Sequence, residues 1–258
     1  MHACHVNSTS ARHIDRVLGL IERCQAEGGR ITTEAYPYGA GATVIGAPFL
    51  APERLRERRL SPPALTYLPT GERVADEARL RQLRAADPNG LVVYEYLNED
   101  DPADMAVLRR SLTFANAIVA SDALPLVPVS DDFDPDQWPL TAGAVTHPRS
   151  AGCFSRALRL WREEGGPLAE AVRRCTLLPA RALEASCPSM RTRGRLQPGS
   201  AADVVVFDAG KITDQATYAA STRPSSGVRH LVVSGEFVIR DGNLAVDARP
   251  GQPITAQL

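Results

Sequence analysis

The stretch LVVYEYLNEDDPADMAVLRRSLTFANAIVASD, residues 91–122, carries the pattern that decides the fold. Residues 91–97 are rich in β-branched and aromatic side chains and predict a strand. The acidic run before Pro102 is typical of a helix start, and residues 101–112 predict a helix. A short apolar strand follows at residues 117–120 and ends at Asp122. Strand, helix and strand at this spacing favour a parallel sheet with crossover helices.

The same alternation extends toward the N-terminus. Residues 2–7 predict a strand, and residues 11–28 predict an amphipathic helix because Ile14, Val17, Leu18 and Ile21 form one apolar stripe. Residues 30–38, RITTEAYPY, predict a second strand, whereas residues 40–75 predict a long connection and residues 77–86 a helix. Together with the strands at 91–97 and 117–120, four strands are expected in one parallel sheet.

Toward the C-terminus the pattern changes after Arg191. Helices are predicted at residues 154–164 and 168–176, and then a strand at 203–208. Two β-rich stretches flank Ser234-Gly235, which predicts a tight hairpin. The chain is therefore expected to divide into an α/β portion, residues 1–190, and a small β-module, residues 191–258.

The amino-acid composition limits the kinds of molecule that the protein is expected to bind. The 258 residues have a formal net charge of −1 and 44% hydrophobic content, so no basic surface favours nucleic acid or an anionic membrane. The five cysteines show no CxxC spacing, and the N-terminus has no signal-peptide pattern. A protein with reduced thiols, cytoplasmic and acting on small molecules, is expected.

Three strand ends present residues that suit a metal. His5 ends the first strand, where its imidazole is either a metal ligand or hydrogen-bonded to the backbone. Glu34 lies on the second strand, where its carboxylate either binds a metal or is solvated or paired with an arginine. Asp122 follows the last strand, a place for a metal-bound or proton-shuttling carboxylate and equally for a helix N-cap. Arg149 either grips a substrate carboxylate or lies at the surface.

Several stretches together resemble the D-aminoacylase, or N-acyl-D-amino-acid deacylase, branch of the amidohydrolase superfamily. They occur in the expected order and cover nearly the whole chain: TEAYPYGAGAT (33–43), VVYEYLNEDDP (92–102), ASDALP (120–125), HPRSAGCFSRAL (147–158), and the run from RRCTLLPARAL (173–183) to GRLQPGSAADVVVFD (194–208). The last of these is general to amidohydrolases, whereas the YPY, SDA and HPR motifs are specific to this branch.

The resemblance implies an α/β fold: the C-terminal half of a TIM-barrel amidohydrolase followed by a small β-sandwich module. The implied reaction is zinc-dependent hydrolysis of the amide bond of an N-acyl-(D-)amino acid or a related amide. By the same resemblance, Asp122 is catalytic and His5 and Asp122 are metal ligands. Glu34 is the third expected metal ligand, as an oxygen donor that substitutes for a family histidine. Arg149 grips the substrate α-carboxylate, and His147 and Tyr36 are further substrate-binding residues.

Two departures from the family pattern raise an alternative. Thr32 stands where the family has a metal histidine, and the HxH motif of the first barrel strand is not found ahead of His5. A catalytic zinc needs about three protein ligands. The chain alone is therefore expected to be incomplete, with an N-terminal partner chain or a second copy as possible partners. The alternative is a non-catalytic protein or a subunit of a split enzyme.

Overall fold

The computed structural model describes residues 1–134, 136–138, 140 and 143–256. The last two residues of the predicted module 191–258 thus lie outside the described residues. The α-helices are α1 (Val6–Ser10), α2 (Ile14–Ala26), α3 (Glu77–Ala86), α4 (Pro102–Thr113), α5 (Arg149–Glu163), α6 (Leu168–Cys175) and α7 (Leu177–Leu183). Short 3₁₀ turns occur at Ala11–His13, Pro48–Leu50, Leu55–Arg58, Pro62–Ala64 and Pro188–Thr192.

The strands form several small sheets. They are β1 (His2–Ala3), β2 (Thr32–Ala35), β3 (Ala40–Val44), β4 (Leu65–Tyr67), β5 (Glu72–Arg73), β6 (Leu91–Glu95), β7 (Ile118–Val119), β8 (Val127–Pro128), β9 (Ala144–Val145), β10 (Val204–Phe207), β11 (Val228–Val233), β12 (Glu236–Arg240) and β13 (Asn243–Leu244). The sheet orders are β1-β2-β7, β3-β6-β4-β5, β8-β9 and β10-β11-β12-β13.

The parallel sheet positions the candidate site. In it β2 lies between β1 and β7, and all its pairings are parallel. Ile14 and Leu18 of α2 and Leu108 of α4 belong to the buried core that also contains Ala35 of β2. Because these apolar residues recur on one face of each helix, the helices cover one face of the sheet. The alternating pattern of the sequence thus predicts the sheet type correctly.

The prediction that residues 91–97 belong to this parallel sheet is wrong. The strand exists, as β6, but it pairs antiparallel with β3 on one side and β4 on the other. The expected long connection at 40–75 contains those partner strands. The apolar composition of residues 91–97 predicts a buried strand, but it does not specify which strands lie beside it.

The first strand is shorter than predicted. It ends at Ala3 instead of residue 7, because His5 adopts a left-handed backbone conformation (φ 35°, ψ 54°) and α1 begins at Val6. The Ser8 and Thr9 amides both donate to the His5 carbonyl, which closes the first turn of that helix. His5 is therefore held at a sharp strand-to-helix corner.

The C-terminal hairpin is confirmed. β11 and β12 are antiparallel neighbours, and Ser234 and Gly235 between them both have positive φ (51° and 86°), as a tight hairpin turn with two left-handed residues requires. A connecting segment of this region packs back on the α/β portion: Asp214 bonds Arg159 at 2.7 Å, and the Ser221 hydroxyl accepts from the Thr146 amide at 2.9 Å. Within the described ranges, no helix has the length and apolarity to cross a membrane.

Candidate active site

A cavity of about 190 Å³ lies at the carboxyl end of the parallel sheet. Parallel strands place their carboxyl ends at one edge, which is where ligands of α/β proteins bind. Here His5 follows β1, Tyr36 follows β2 and Asp122 follows β7, and all three line the cavity. The other lining residues are Ser8, Thr9, Ala42, Thr43, Phe49, Arg58 and Tyr94.

His5 offers an unused ring nitrogen to this cavity. Its Nδ1 atom is buried and has no hydrogen-bond partner in the described part of the chain. A buried polar atom without a partner costs free energy, and a bound ion or water is one way to satisfy it. Neutral imidazole nitrogen is a common zinc ligand. His5 is therefore suited to the metal role that the sequence predicts for it.

Asp122 and Arg149 form an ion pair beside His5. The Asp122 carboxylate accepts from an Arg149 guanidinium nitrogen at 2.8 Å; the Arg149 side chain is 1% exposed, whereas that of Asp122 is 38% exposed. The guanidinium lies over the Tyr36 ring, 4.4 Å from its centroid. Its Nε and Nη1 atoms find no acceptor among the described residues. The pair with Asp122 thus leaves two other N–H donors of this buried guanidinium unused.

The Tyr36 ring packs against the guanidinium of Arg149. The ring is buried, and burial is the main reason that its pKa is raised, an effect that the positive charge of Arg149 partly offsets. The hydroxyl therefore remains neutral at ordinary pH. The side-chain amide of Asn7 donates to the Tyr36 carbonyl at 2.9 Å and fixes the backbone of this strand end. Tyr36 therefore contacts the predicted substrate-binding arginine directly.

His147 contacts the backbone of Arg149, and neither of these two residues lines the cavity. Its Nδ1 accepts from the Arg149 amide at 3.0 Å, so Nε2 carries the hydrogen and donates to the Ala40 carbonyl at 3.1 Å. The side chain is fully buried, and burial together with the charge of Arg149 holds its pKa well below the usual value. The structure thus places His147 as a support for the backbone of Arg149.

Glu34 is separated from the His5 cavity. Its Oε2 atom lies 2.9 Å from Nε2 of His2, and Nδ1 of His2 lies 2.7 Å from the Thr32 hydroxyl. The thiol of Cys4 completes a group in which one ligand atom of each residue, His2, Cys4 and Glu34, lies within 4.8 Å of the others. The imidazole of His2 therefore lies beside Thr32, the residue that stands where the family pattern has a metal histidine.

Arg58 is a site residue that the sequence pattern does not reveal. It ends the 3₁₀ turn Leu55–Arg58, lines the 190 Å³ cavity and also lines an adjoining cavity of about 320 Å³. Its guanidinium lies 4.5 Å from the centroid of the Phe49 ring. The nearby carboxylates of Glu53 and Glu57 contact Arg81 and Arg54 instead. The only signal in the sequence is the basic run ERLRERR (53–59), which is more often a solvated surface.

A family profile described as "Amidohydrolase family" matches residues 20–239 of the chain. The chain belongs to the amidohydrolase family. Among curated relatives, this amidohydrolase is 30% identical over 231 residues to the N-acyl-D-glutamate deacylase of Alcaligenes xylosoxydans xylosoxydans, covering 84% of the chain and 40% of that protein. It is also 30% identical over 247 residues to the N-acyl-D-aspartate deacylase of the same organism, covering 91% and 42%.

Solved structures agree with these relatives. A crystal structure of D-aminoacylase superposes on this amidohydrolase with a TM-score of 0.70 at 23% identity, covering 98% of the chain and 49% of that structure. The N-acyl-D-glutamate deacylase of Bordetella bronchiseptica, complexed with zinc and a phosphonate inhibitor, superposes with a TM-score of 0.68 at 27% identity, covering 99% and 49%. The predicted resemblance to the D-aminoacylase branch is confirmed, and the chain spans about two fifths of its curated relatives.

Proposed function

We propose that this chain supplies the substrate-binding and proton-transfer side of a zinc-dependent deacylase of N-acyl-D-amino acids. The observation that carries the proposal is that one cavity is lined by His5, whose Nδ1 has no partner in the described part of the chain, and by Asp122, which is paired with Arg149. The zinc-bound deacylase relative and the names of the curated relatives support the same reaction. The parallel sheet would then be part of a TIM barrel, with the C-terminal strands in a β-sandwich.

The donor set fits zinc. An imidazole nitrogen from His5 and a carboxylate oxygen from Asp122 are both common zinc ligands. A catalytic zinc takes about three protein ligands, so we propose that strands additional to those described here supply the rest. Zinc bound there would polarise the amide carbonyl and lower the pKa of a water molecule.

Asp122 is proposed to move the proton. Its carboxylate accepts a proton from water while the water oxygen bonds to the amide carbon, and then gives that proton to the amide nitrogen as the carbon–nitrogen bond breaks. The products are a free carboxylic acid and an amino acid. The ion pair with Arg149 holds the Asp122 carboxylate in place.

The two arginines are proposed to select an acidic substrate. Arg149, which contacts Asp122 and Tyr36 of the cavity wall, binds the α-carboxylate through its unused N–H donors, and Arg58, which lines the cavity, binds a carboxylate on the substrate side chain. The relatives named as N-acyl-D-glutamate and N-acyl-D-aspartate deacylases support this choice. An acidic N-acyl-D-amino acid is thus the proposed substrate.

Binding and turnover of matched ligands test the proposal. N-acetyl-D-glutamate should bind more tightly than its neutral isostere N-acetyl-D-glutamine, by roughly 10–100-fold for one partly desolvated ion pair. Arg58→Met should abolish that difference, whereas Arg149→Met should weaken both ligands; Arg54→Met is the matched control. Equal binding of the two ligands to the wild-type chain would reject the role of Arg58. Failure of Arg149→Met to raise Kd or KM would reject the carboxylate clamp.

A split or non-catalytic protein is the second candidate. Among the described strands, β1 and β7 each have a partner on one side only, so the parallel sheet presents two open edges. Open edges favour pairing with further strands, from a partner chain or a second copy. Size-exclusion chromatography with light scattering would detect the second copy. A metal-free monomer that binds neither acetylated ligand would favour the non-catalytic candidate over the deacylase.

A further inference from the structure

The face of the parallel sheet opposite α2 and α4 presents an unusual set of side chains. Ala3 of β1 packs toward the core, whereas His2 of β1 and Cys4, which directly follows β1, are exposed. Glu34 projects from the adjacent strand and meets His2. The register pairs His2 with Thr32, and because side chains alternate along a strand, Glu34 lies on the same face of β2 as Thr32; the Cys4 thiol lies close to both His2 and Glu34.

We propose that His2, Cys4 and Glu34 form a zinc site distinct from the His5 cavity. The three ligand atoms, an imidazole nitrogen, a thiol sulfur and a carboxylate oxygen, lie within 4.8 Å of one another. Zinc bonds of about 2.0–2.3 Å put tetrahedral ligand atoms about 3.3–3.8 Å apart, so only small side-chain rotations are needed. Thiolate and imidazole exclude magnesium and calcium, which prefer oxygen ligands alone.

Two further features fit a metal site. The Thr32 hydroxyl, 2.7 Å from Nδ1 of His2, fixes the ring so that Nε2 faces Glu34, as a second hydrogen bond does for metal-bound histidines. A cavity of about 540 Å³, lined by His2, Thr32 and Glu34 among others, adjoins the group. Three protein ligands beside such a space leave a fourth position for water or another small ligand.

The thiol makes binding depend on pH. A cysteine thiol without a metal ordinarily keeps its proton at neutral pH. Zinc must displace that proton to form the thiolate bond. One proton should therefore be released from Cys4 for each zinc bound, and affinity should fall as the pH falls. Calorimetry in buffers of different ionisation enthalpy counts that proton.

Cobalt(II) binding is the decisive experiment, because a cobalt–thiolate bond gives a near-ultraviolet charge-transfer band. The purified chain should bind one cobalt with this band, and zinc should displace the cobalt. Cys4→Ser should remove the band, and His2→Gln and Glu34→Gln should weaken zinc binding at least tenfold. Thr32→Val should weaken it by about 10–100-fold.

Matched variants distinguish this site from cobalt bound elsewhere on the chain. Cys24→Ser and His13→Gln, which replace a half-buried cysteine and an exposed histidine away from the cluster, should leave the band unchanged. His5→Gln should also leave it unchanged, which separates this site from the proposed catalytic one. A spectrum without a thiolate band, or a band that survives Cys4→Ser in the folded chain, overturns the proposal and leaves a simple His2–Glu34 ion pair.

Discussion

Removing the charge of Asp122 should destabilise the fold as well as affect catalysis. Asp122 is the carboxylate partner of Arg149, whose side chain is 1% exposed and has two further nitrogens without acceptors in the described part of the chain. Breaking a fully buried pair costs about 3–5 kcal/mol. Since the Asp122 side chain is 38% exposed, solvent reduces that cost, and we expect about 2 kcal/mol for Asp122→Asn.

The backbone at Asp122 separates two substitutions. Its φ of 47° is left-handed, a conformation that asparagine tolerates and that costs alanine roughly 1–2 kcal/mol. Asp122→Ala should therefore lower the free energy of unfolding by about 3–4 kcal/mol, clearly more than Asp122→Asn. The catalytic role that the family resemblance implies for Asp122 would by itself leave folding little changed in Asp122→Asn.

Urea unfolding followed by tryptophan fluorescence measures both variants. The control is Glu53→Gln, which removes an exposed ion pair to Arg81 at 3.7 Å and should change the free energy of unfolding by less than about 0.5 kcal/mol. If Asp122→Asn unfolds at the wild-type urea concentration, Arg149 does not depend on this carboxylate. If the alanine and asparagine variants are equally stable, the left-handed backbone is not a constraint.

Two further changes test the supports of the site. The pKa of His147 is held well below its usual value, so the unfolded chain takes up a proton near pH 6.5 that the folded chain does not. As the pH is lowered below about 6.5, the free energy of unfolding should therefore decrease by up to about 1.4 kcal/mol per pH unit. Urea titrations at pH 7.5 and 5.5 should show that the free energy of unfolding changes less with pH in His147→Gln than in the wild type. An equal change in the two proteins would contradict the lowered pKa of His147. Arg174→Met leaves the carbonyls of Leu112, Phe114 and Ala117 without their shared donor and should cost about 3 kcal/mol or more, measured as a lower Tm; an unchanged Tm would show that water replaces the guanidinium.

The sequence predicts local elements better than their partners. The helix at 77–86 and the hairpin around Ser234-Gly235 are both found, because capping residues and turn glycines act within a few residues. Asp76 caps that helix by accepting from the Arg79 amide. The strand at 91–97 is also found, but its antiparallel neighbours lie in a stretch of glycine, proline and arginine that gives little strand signal.

In the candidate site, too, the sequence predicts the residues at strand ends but not those whose position depends on distant parts of the chain. The residues at the strand ends, His5 and Asp122, are placed in one cavity because parallel strands share an edge. Arg58 could not be predicted, because it reaches the cavity from a 3₁₀ turn whose sequence resembles a solvated charged surface. His147 could not be assigned a position either, since its burial depends on Ala40, a residue more than a hundred positions away in the chain.

The segment that contains Asp214, Tyr218 and Ser221 has a practical consequence for anyone who recombines amidohydrolase modules. These residues follow the predicted boundary at 190 yet bond to Arg159, Glu99 and Thr146 in the α/β portion. A chimera joined at residue 190 would replace them with another protein's residues and leave half-buried Arg159 without its Asp214 partner. An exchange that preserves the candidate site would have to keep this segment with the recipient and graft only the strands beyond it.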